Sequence, residues 1–121
     1  MTQSYEDLFE RLGVRLESPG LQLALTHRSW AYENGGAPNN ERLEFLGDAV
    51  IGLLAAEHLF RRFDQAHEGE LSKRKGRVVS RTILGRRARE LGLADVVHLG
   101  RGEDRTGGRH RPVLLGSALE A

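Results

Sequence analysis

Hydrophobic residues recur at helical spacing along most of this chain, and no stretch alternates for long enough to predict a strand. The pattern is longest between Asn40 and Phe63, where Asn40 is expected to cap a helix whose dipole favours Glu41 in its first turn. One apolar side of this helix is expected to face the core; it consists of Leu43, Leu46, Val50 and Leu54. The pattern predicts an all-α fold.

Shorter helices are predicted on both sides of the central one. The first starts near Ser4 as a possible N-cap and stops at Gly13, and the second covers residues 18–30, with Ser18 and Pro19 at its start. After a connection over residues 64–70, residues 71–93 form two basic helical pieces separated near 79–82. Residues 100–110 are rich in Gly and charge and are expected to form a flexible loop before a last helix.

Length and composition narrow the class of protein. A chain of 121 residues forms one domain, here 1–121, and the absence of cysteine excludes disulfides and thiolate metal sites. The N-terminus lacks the layout of a secretory signal, and no apolar run is long enough to span a membrane. We therefore expect a cytoplasmic protein without a membrane partner.

Charge is divided unevenly along the chain. Residues 1–60 contain 4 Lys or Arg and 9 Asp or Glu, whereas residues 61–121 contain 14 and 8. Residues 73–89 include eight basic side chains and no acidic one. This asymmetry suggests a polyanionic ligand for the basic half and cations or catalysis for the acidic half.

Three acidic residues of the central helix share one face. Glu41, Glu44 and Asp48 fall within an arc of about 60° at helical spacing, and Phe45 lies beside them. A solvated helix face explains the spacing, since Glu is a good helix former. A site for a hard cation explains it as well, because Mg²⁺ prefers carboxylate oxygens and retained waters. Spacing alone leaves both interpretations open.

The order of residues around this face resembles the ribonuclease III family of double-strand-specific endoribonucleases. "NERLEFLGDAVIGL" resembles the family's most characteristic motif, and "LTHRSW" before it resembles a Thr-His-Arg-Ser segment. "HEGELSK" is similar to a later Glu-Gly-Asp-Leu-Ser element, with Glu70 in place of the Asp, and "LGRGEDRTGG" to a Gly-rich loop. The similarity covers nearly the whole chain, in the family's order.

This resemblance implies a helical endonuclease domain that pairs into a homodimer and cleaves double-stranded RNA, leaving 5′ phosphates and 3′ overhangs. It further implies that Mg²⁺, or Mn²⁺ in its place, is held by Glu44, Asp48 and Glu120, which are the catalytic residues. Glu41 and Glu68 match ancillary acids, and Phe45 matches the aromatic residue that contacts the partner subunit. The basic segment is then expected to contact phosphates, through Lys73, Arg74, Lys75 and Arg77.

The chain departs from the family at its end. Ser117 stands where the family has an Asp, and a neutral hydroxyl is a weaker Mg²⁺ ligand than a carboxylate. Ala121 follows Glu120 directly, so we expect the last helix to be incomplete, as in a C-terminally truncated domain without the double-stranded-RNA-binding domain. These departures support an alternative, a catalytically inactive relative that binds RNA or a partner.

Overall fold

The computed structural model describes residues 2–16 and 19–121, with the side chain of Thr2 excepted, and within these ranges the protein is helical and has no strand. Eight α-helices follow one another in the order α1 Thr2–Leu12, α2 Gly20–Ala24, α3 Arg28–Glu33, α4 Glu41–Arg62, α5 Glu68–Val78, α6 Arg81–Glu90, α7 Arg101–Arg105 and α8 Pro112–Glu120. Two short 3₁₀ helices lie at Leu93–Asp95 and Gly108–His110. No helix in the described ranges is both long and apolar enough to cross a membrane.

The central helix α4 lies where the hydrophobic pattern predicts it, within one residue at each end. Asn40 occupies the N-cap position, but its side chain does not cap the helix. Its Nδ2 donates to the carbonyl oxygen of Ala24 at 2.9 Å, which ties the start of α4 to α2. The Oδ1 of Asn39 instead accepts from the backbone N–H of Glu41 at 3.0 Å.

The prediction of a single helix over residues 18–30 is wrong, because α2 ends within that stretch and α3 begins there. A long-range contact breaks it: the N–H of His98 donates to Leu25 at 2.8 Å, and the N–H of His27 donates to His98 at 3.1 Å. These bonds form an isolated bridge between Thr26 and His98. Ser18, the expected start of the helix, lies outside the described residues.

Three smaller expectations are also corrected. Ser4 lies inside α1, which already begins at Thr2, although Gly13 ends the helix as expected with a φ of 74°. Residues 68–70 belong to the first turn of α5 and not to a connection, and Arg101–Arg105 forms α7 within the expected loop. The predicted break between the two basic helices is confirmed at residues 79–80.

The core lies mainly between α1, α6, α8 and the segment from Leu91 to Leu99. Its most completely buried large side chains are Leu8, Leu115 and Val96. Helices α6 and α8 approach until their backbones touch. A Cβ atom on Gly85 would lie 2.1 Å from the carbonyl oxygen of Pro112, and one on Gly116 would lie 2.6 Å from that of Arg81. Glycine at both positions therefore fixes α8 against the start of α6.

The apolar side of α4 is not buried as expected. Leu46, Val50 and Leu54 are 60%, 48% and 60% exposed, and only Leu43 is half-buried. Helix α4 approaches α8 closely at Gly47, and the neighbouring apolar side chains are left partly uncovered. Leu43, Leu46 and Val50 line an apolar cavity of about 620 Å³ that α1, α2 and the end of α8 also border.

Candidate functional site

Gly47 brings the two acidic segments of the sequence together. A Cβ atom at this position would lie 1.4 Å from the carbonyl oxygen of Glu120 and 2.5 Å from its carbonyl carbon. Real Cβ atoms essentially never approach another heavy atom within 3.0 Å, so only glycine permits the contact. Because Gly47 lies between Glu44 and Asp48, the end of α8 is held beside both acids.

The result is an acidic cluster of Glu44, Asp48 and Glu120, with one arginine inserted in it. Nη2 of Arg81 lies 3.2 Å from Oε1 of Glu44, and its Nε lies 3.7 Å from Oε1 of Glu120. The side chain of Glu120 is only 2% exposed, that of Glu44 is 21% exposed and that of Arg81 is 57% exposed. The arginine thus reaches a nearly buried acid from the surface.

The environment of Glu120 disfavours a charged carboxylate. Its Oε1 is buried and has no hydrogen-bond partner among the described residues. Burial, followed by a hydrogen bond with Asp48 and the negative charge of Asp48, raises the pKa of Glu120 to about 7, and the charge of Arg81 opposes this rise. A buried oxygen without a partner is costly unless a cation or a proton supplies one.

A second cavity adjoins the cluster, with a volume of about 390 Å³. Glu41, Glu44, Arg81 and Ser117 are among its lining residues. Ser117 therefore faces the same space as two of the expected acids, one helical turn before Glu120. Glu41 is more exposed and lies 3.7 Å from Arg28, measured from its Oε1 to Nη1.

Two of the expected site residues lie elsewhere. Glu68 is exposed in the first turn of α5, and in the described part of the chain no hydrogen bond or ion pair joins it to the acidic cluster. Phe45 is 83% exposed on α4, and it is one of several large apolar side chains that this helix presents to solvent, with Leu53 at 69% and Phe60 at 71%.

The basic segment is not one uniform surface. Lys73 and Arg77 are exposed and have no ion-pair partner within residues 2–16 and 19–121. Arg74 instead donates to Oε1 of Glu70 at 3.1 Å and stacks on the ring of Phe63 at 4.0 Å. Lys75 is half-buried, and Arg81, which belongs to the same basic run, turns into the acidic cluster. The sequence pattern does not predict this role of Arg81, because the role depends on where α6 begins.

His27 has a structural role. Its Nδ1 accepts a hydrogen bond from the backbone N–H of Ser29 at 3.1 Å and caps α3. Burial lowers the pKa of His27, which favours the neutral ring that this acceptor role needs.

The cluster fits a hard divalent cation by its chemistry, although it is not arranged as a finished metal site. Within the described ranges, no three acidic or histidine side chains converge closely enough to hold a metal ion. Carboxylate oxygens are the ligands that Mg²⁺ prefers, and the Oε1 of Glu120 has an ion pair with Arg81 but no hydrogen-bond partner among the described residues. Glu44, Asp48 and Glu120 are the residues that could hold such an ion once Arg81 moves aside.

Comparisons with known proteins show the family of the chain. A family model described as ribonuclease-III-like matches residues 19–121. The chain is 51% identical over 114 residues to ribonuclease 3 of Leifsonia xyli subsp. xyli, covering 94% of this chain and 48% of that protein. It is 49% identical over 124 residues to ribonuclease 3 of Mycobacterium tuberculosis, covering 100% of this chain and 52% of that protein. The chain thus spans about half the length of these relatives.

A solved structure shows the same fold. The nuclease domain of ribonuclease III from Campylobacter jejuni superposes with a TM-score of 0.87 at 38% identity, covering 95% of this chain and 78% of that one. That structure is described as flexible in the region involved in dimer formation. The fold is that of a helical nuclease domain. This chain belongs to the ribonuclease-III-like family.

Proposed function

We propose that this chain is the endonuclease domain of a metal-dependent enzyme that cleaves double-stranded RNA as a homodimer, producing 5′ phosphates and 3′ overhangs. The observation that carries the proposal is the acidic cluster, in which Glu120 from α8 meets Glu44 and Asp48 from α4. Membership of the ribonuclease-III-like family supports the reaction, and the relatives named ribonuclease 3 support the RNA substrate.

The residues of the cluster would hold Mg²⁺, or Mn²⁺ in its place. The ion would supply an activated water and would stabilise the negative charge that develops at the phosphate. Glu44 and Asp48 are anchored by the long helix α4, and Glu120 is held against them by the close contact at Gly47. This positioning by rigid elements suits a reaction in which most of the catalysis comes from placement and charge.

Contacts with the RNA backbone are assigned to the exposed cations of α5. Lys73 and Arg77 are exposed and have no ion-pair partner among the described residues, whereas Arg74 is held by Glu70 and Lys75 is half-buried beside α4. We infer that Lys73 and Arg77 contribute most of the salt-dependent affinity, and that Arg74 and Lys75 contribute less. Glu41, which faces the cavity beside Ser117, and Glu68 in α5 are assigned ancillary roles near the scissile bond.

A homodimer is supported by the exposed apolar side chains of α4. Phe45, Leu53 and Phe60 are each more than two-thirds exposed, and several large apolar side chains exposed on one helix favour an interaction surface. The dimer-forming region of the related Campylobacter jejuni nuclease domain supports the same assignment. Phe45 is one residue away from Glu44, so dimer formation and the site are adjacent.

Ser117 supports a second candidate function. It lines the cavity beside Glu41 and Glu44 with a neutral hydroxyl, where the resemblance leads us to expect another carboxylate. A site with one charge fewer captures Mg²⁺ less well. In that case the chain would bind structured RNA, or a partner subunit, without cutting.

The test is cleavage of end-labelled double-stranded RNA in Mg²⁺ and, separately, in Mn²⁺. Glu44→Ala should lower the rate at least about 100-fold because it removes a ligand of the ion, whereas Glu57→Ala, an exposed acid farther along α4, should change it little. No cleavage by the native chain, combined with cleavage by Ser117→Asp, would show a disabled nuclease and would favour the second candidate function. No cleavage by either chain would contradict the nuclease assignment.

A further inference from the structure

Among the described residues, Arg81 forms ion pairs within 4 Å with both Glu44 and Glu120. It is the first residue of α6. We propose that Arg81 is a built-in counter-ion of the acidic cluster, which neutralises the cluster without metal and which a divalent cation must displace to bind. This inference rests on the proposed function, because it concerns the same three carboxylates.

The backbone of Arg81 is firmly placed. Its carbonyl oxygen lies against α8 at Gly116, where a Cβ atom would be only 2.6 Å away. The preceding residue, Ser80, caps α6 by accepting a hydrogen bond from the N–H of Ile83 at 3.3 Å. The guanidinium is therefore attached next to the cluster at a fixed point, close to the residues it neutralises.

The side chain beyond that point is loosely held. It is 57% exposed, and its contact with Glu120 is an ion pair at 3.7 Å without a hydrogen bond. The bond to Glu44 at 3.2 Å is its one recorded hydrogen bond among the described residues. A long side chain held in this way can turn toward solvent at little cost, which is what a replaceable cation requires.

The charges favour exchange with a divalent ion. Three neighbouring carboxylates repel one another, and one arginine supplies a single positive charge to them. The Oε1 of Glu120 gains no hydrogen bond from Arg81, so the arginine compensates the most buried acid only in part. A divalent cation carries twice the charge and would draw the three acids together as ligands, but its binding must overcome the loss of the contacts with Arg81.

Calorimetric titration of Mg²⁺, and of Mn²⁺, into the native chain, Arg81→Gln and Arg86→Gln tests this inference. Arg86 is an exposed residue of the same helix, without an ion-pair partner in the described part of the chain, so it controls for the lost charge. Arg81→Gln should bind the cation about tenfold more tightly than Arg86→Gln, because no arginine has to be displaced.

Unfolding measurements give a second readout. In EDTA, Arg81→Gln should have a lower melting temperature than Arg86→Gln, since the cluster loses its counter-ion, and saturating Mg²⁺ should remove the difference. Equal cation affinities for the two variants, with binding still abolished by Glu44→Ala, would overturn the inference and leave the proposed function standing. Absence of cation binding in all the variants would overturn both.

Discussion

Replacement of Gly47 by Ala is a direct perturbation of the contact that assembles the site. The new Cβ atom would lie 1.4 Å from the carbonyl oxygen of Glu120, and contacts under 3.0 Å essentially never occur. The end of α8 must therefore move away from α4 by about 1.6 Å or more. The obstacle is backbone and not the flexible end of a side chain, so a change of rotamer cannot remove it.

Gly52→Ala is a matched control in the same helix. Its Cβ atom would meet only the end of Lys75, at 3.7 Å, which is ordinary van der Waals contact. Both substitutions gain up to about 1 kcal/mol of helix propensity. Gly47→Ala also incurs the cost of overpacking, about 3 kcal/mol for a clash with backbone. We expect a net loss of about 2 kcal/mol for Gly47→Ala and a gain of up to about 1 kcal/mol for Gly52→Ala.

Thermal unfolding followed by circular dichroism measures the difference. The two variants should differ in melting temperature by about 10 °C, given a free-energy difference of about 3 kcal/mol in a domain of this size. Titration with Mn²⁺ should show weaker binding by Gly47→Ala, because Glu120 is displaced from Glu44 and Asp48. Equal melting temperatures and equal Mn²⁺ affinities in the two variants would refute this account of Gly47.

Three further substitutions test other parts of the account. In EDTA, the native chain should lose up to about 3 kcal/mol of stability as the pH rises from about 4.5 to about 7, because the folded state holds the proton of Glu120 more tightly than the unfolded state. Urea unfolding curves of Glu120→Gln should lack this loss. A parallel loss of stability in both chains would contradict the prediction. Gly76→Ala should raise the stability by about 0.5–1 kcal/mol, since nothing lies within 4 Å of the new Cβ atom in α5; a lower melting temperature would show that this glycine is needed. Phe45→Glu should weaken self-association at least about tenfold in sedimentation experiments, whereas Val14→Glu, at an exposed apolar residue outside α4, should not. Equal effects would remove Phe45 from the interface.

The parts of the fold that follow local rules were predictable from the sequence. The periodicity of α4 gives its bounds within one residue, and the break between α5 and α6 lies where the basic stretch was expected to divide. The spacing of Glu41, Glu44 and Asp48 identified the acidic face, and the resemblance to the ribonuclease III family directed attention to Glu120. Each of these depends on residues that are neighbours along the chain or on an ordered set of motifs.

The parts that depend on distant contacts were not predictable in this way. The break between α2 and α3 arises from hydrogen bonds to His98, more than seventy residues away along the chain. The exposure of Leu46, Val50 and Leu54 depends on how much of α4 the other helices cover, and amphipathic spacing alone does not decide this. A glycine inside a long apolar helix is the signal that could have indicated the close approach at Gly47, since its cost in helix stability requires a reason.

The role of Arg81 at the site was also not predictable from the sequence. In the sequence it is one of eight cations between residues 73 and 89, and its charge pattern favours a surface that binds phosphate. Only the backbone contact of α6 with α8 turns it toward Glu44 and Glu120. The function of a charged residue in such a run is therefore decided by the packing of its helix.

The position of Mn²⁺ in crystals of this chain, located by anomalous scattering, is the most direct test of the central claim that the acidic cluster is the metal site of a nuclease. The account predicts a peak bound by the carboxylates of Glu44, Asp48 and Glu120, with the guanidinium of Arg81 turned away from them. A Mn²⁺ peak elsewhere, with Arg81 still paired to Glu44 and Glu120, would contradict it.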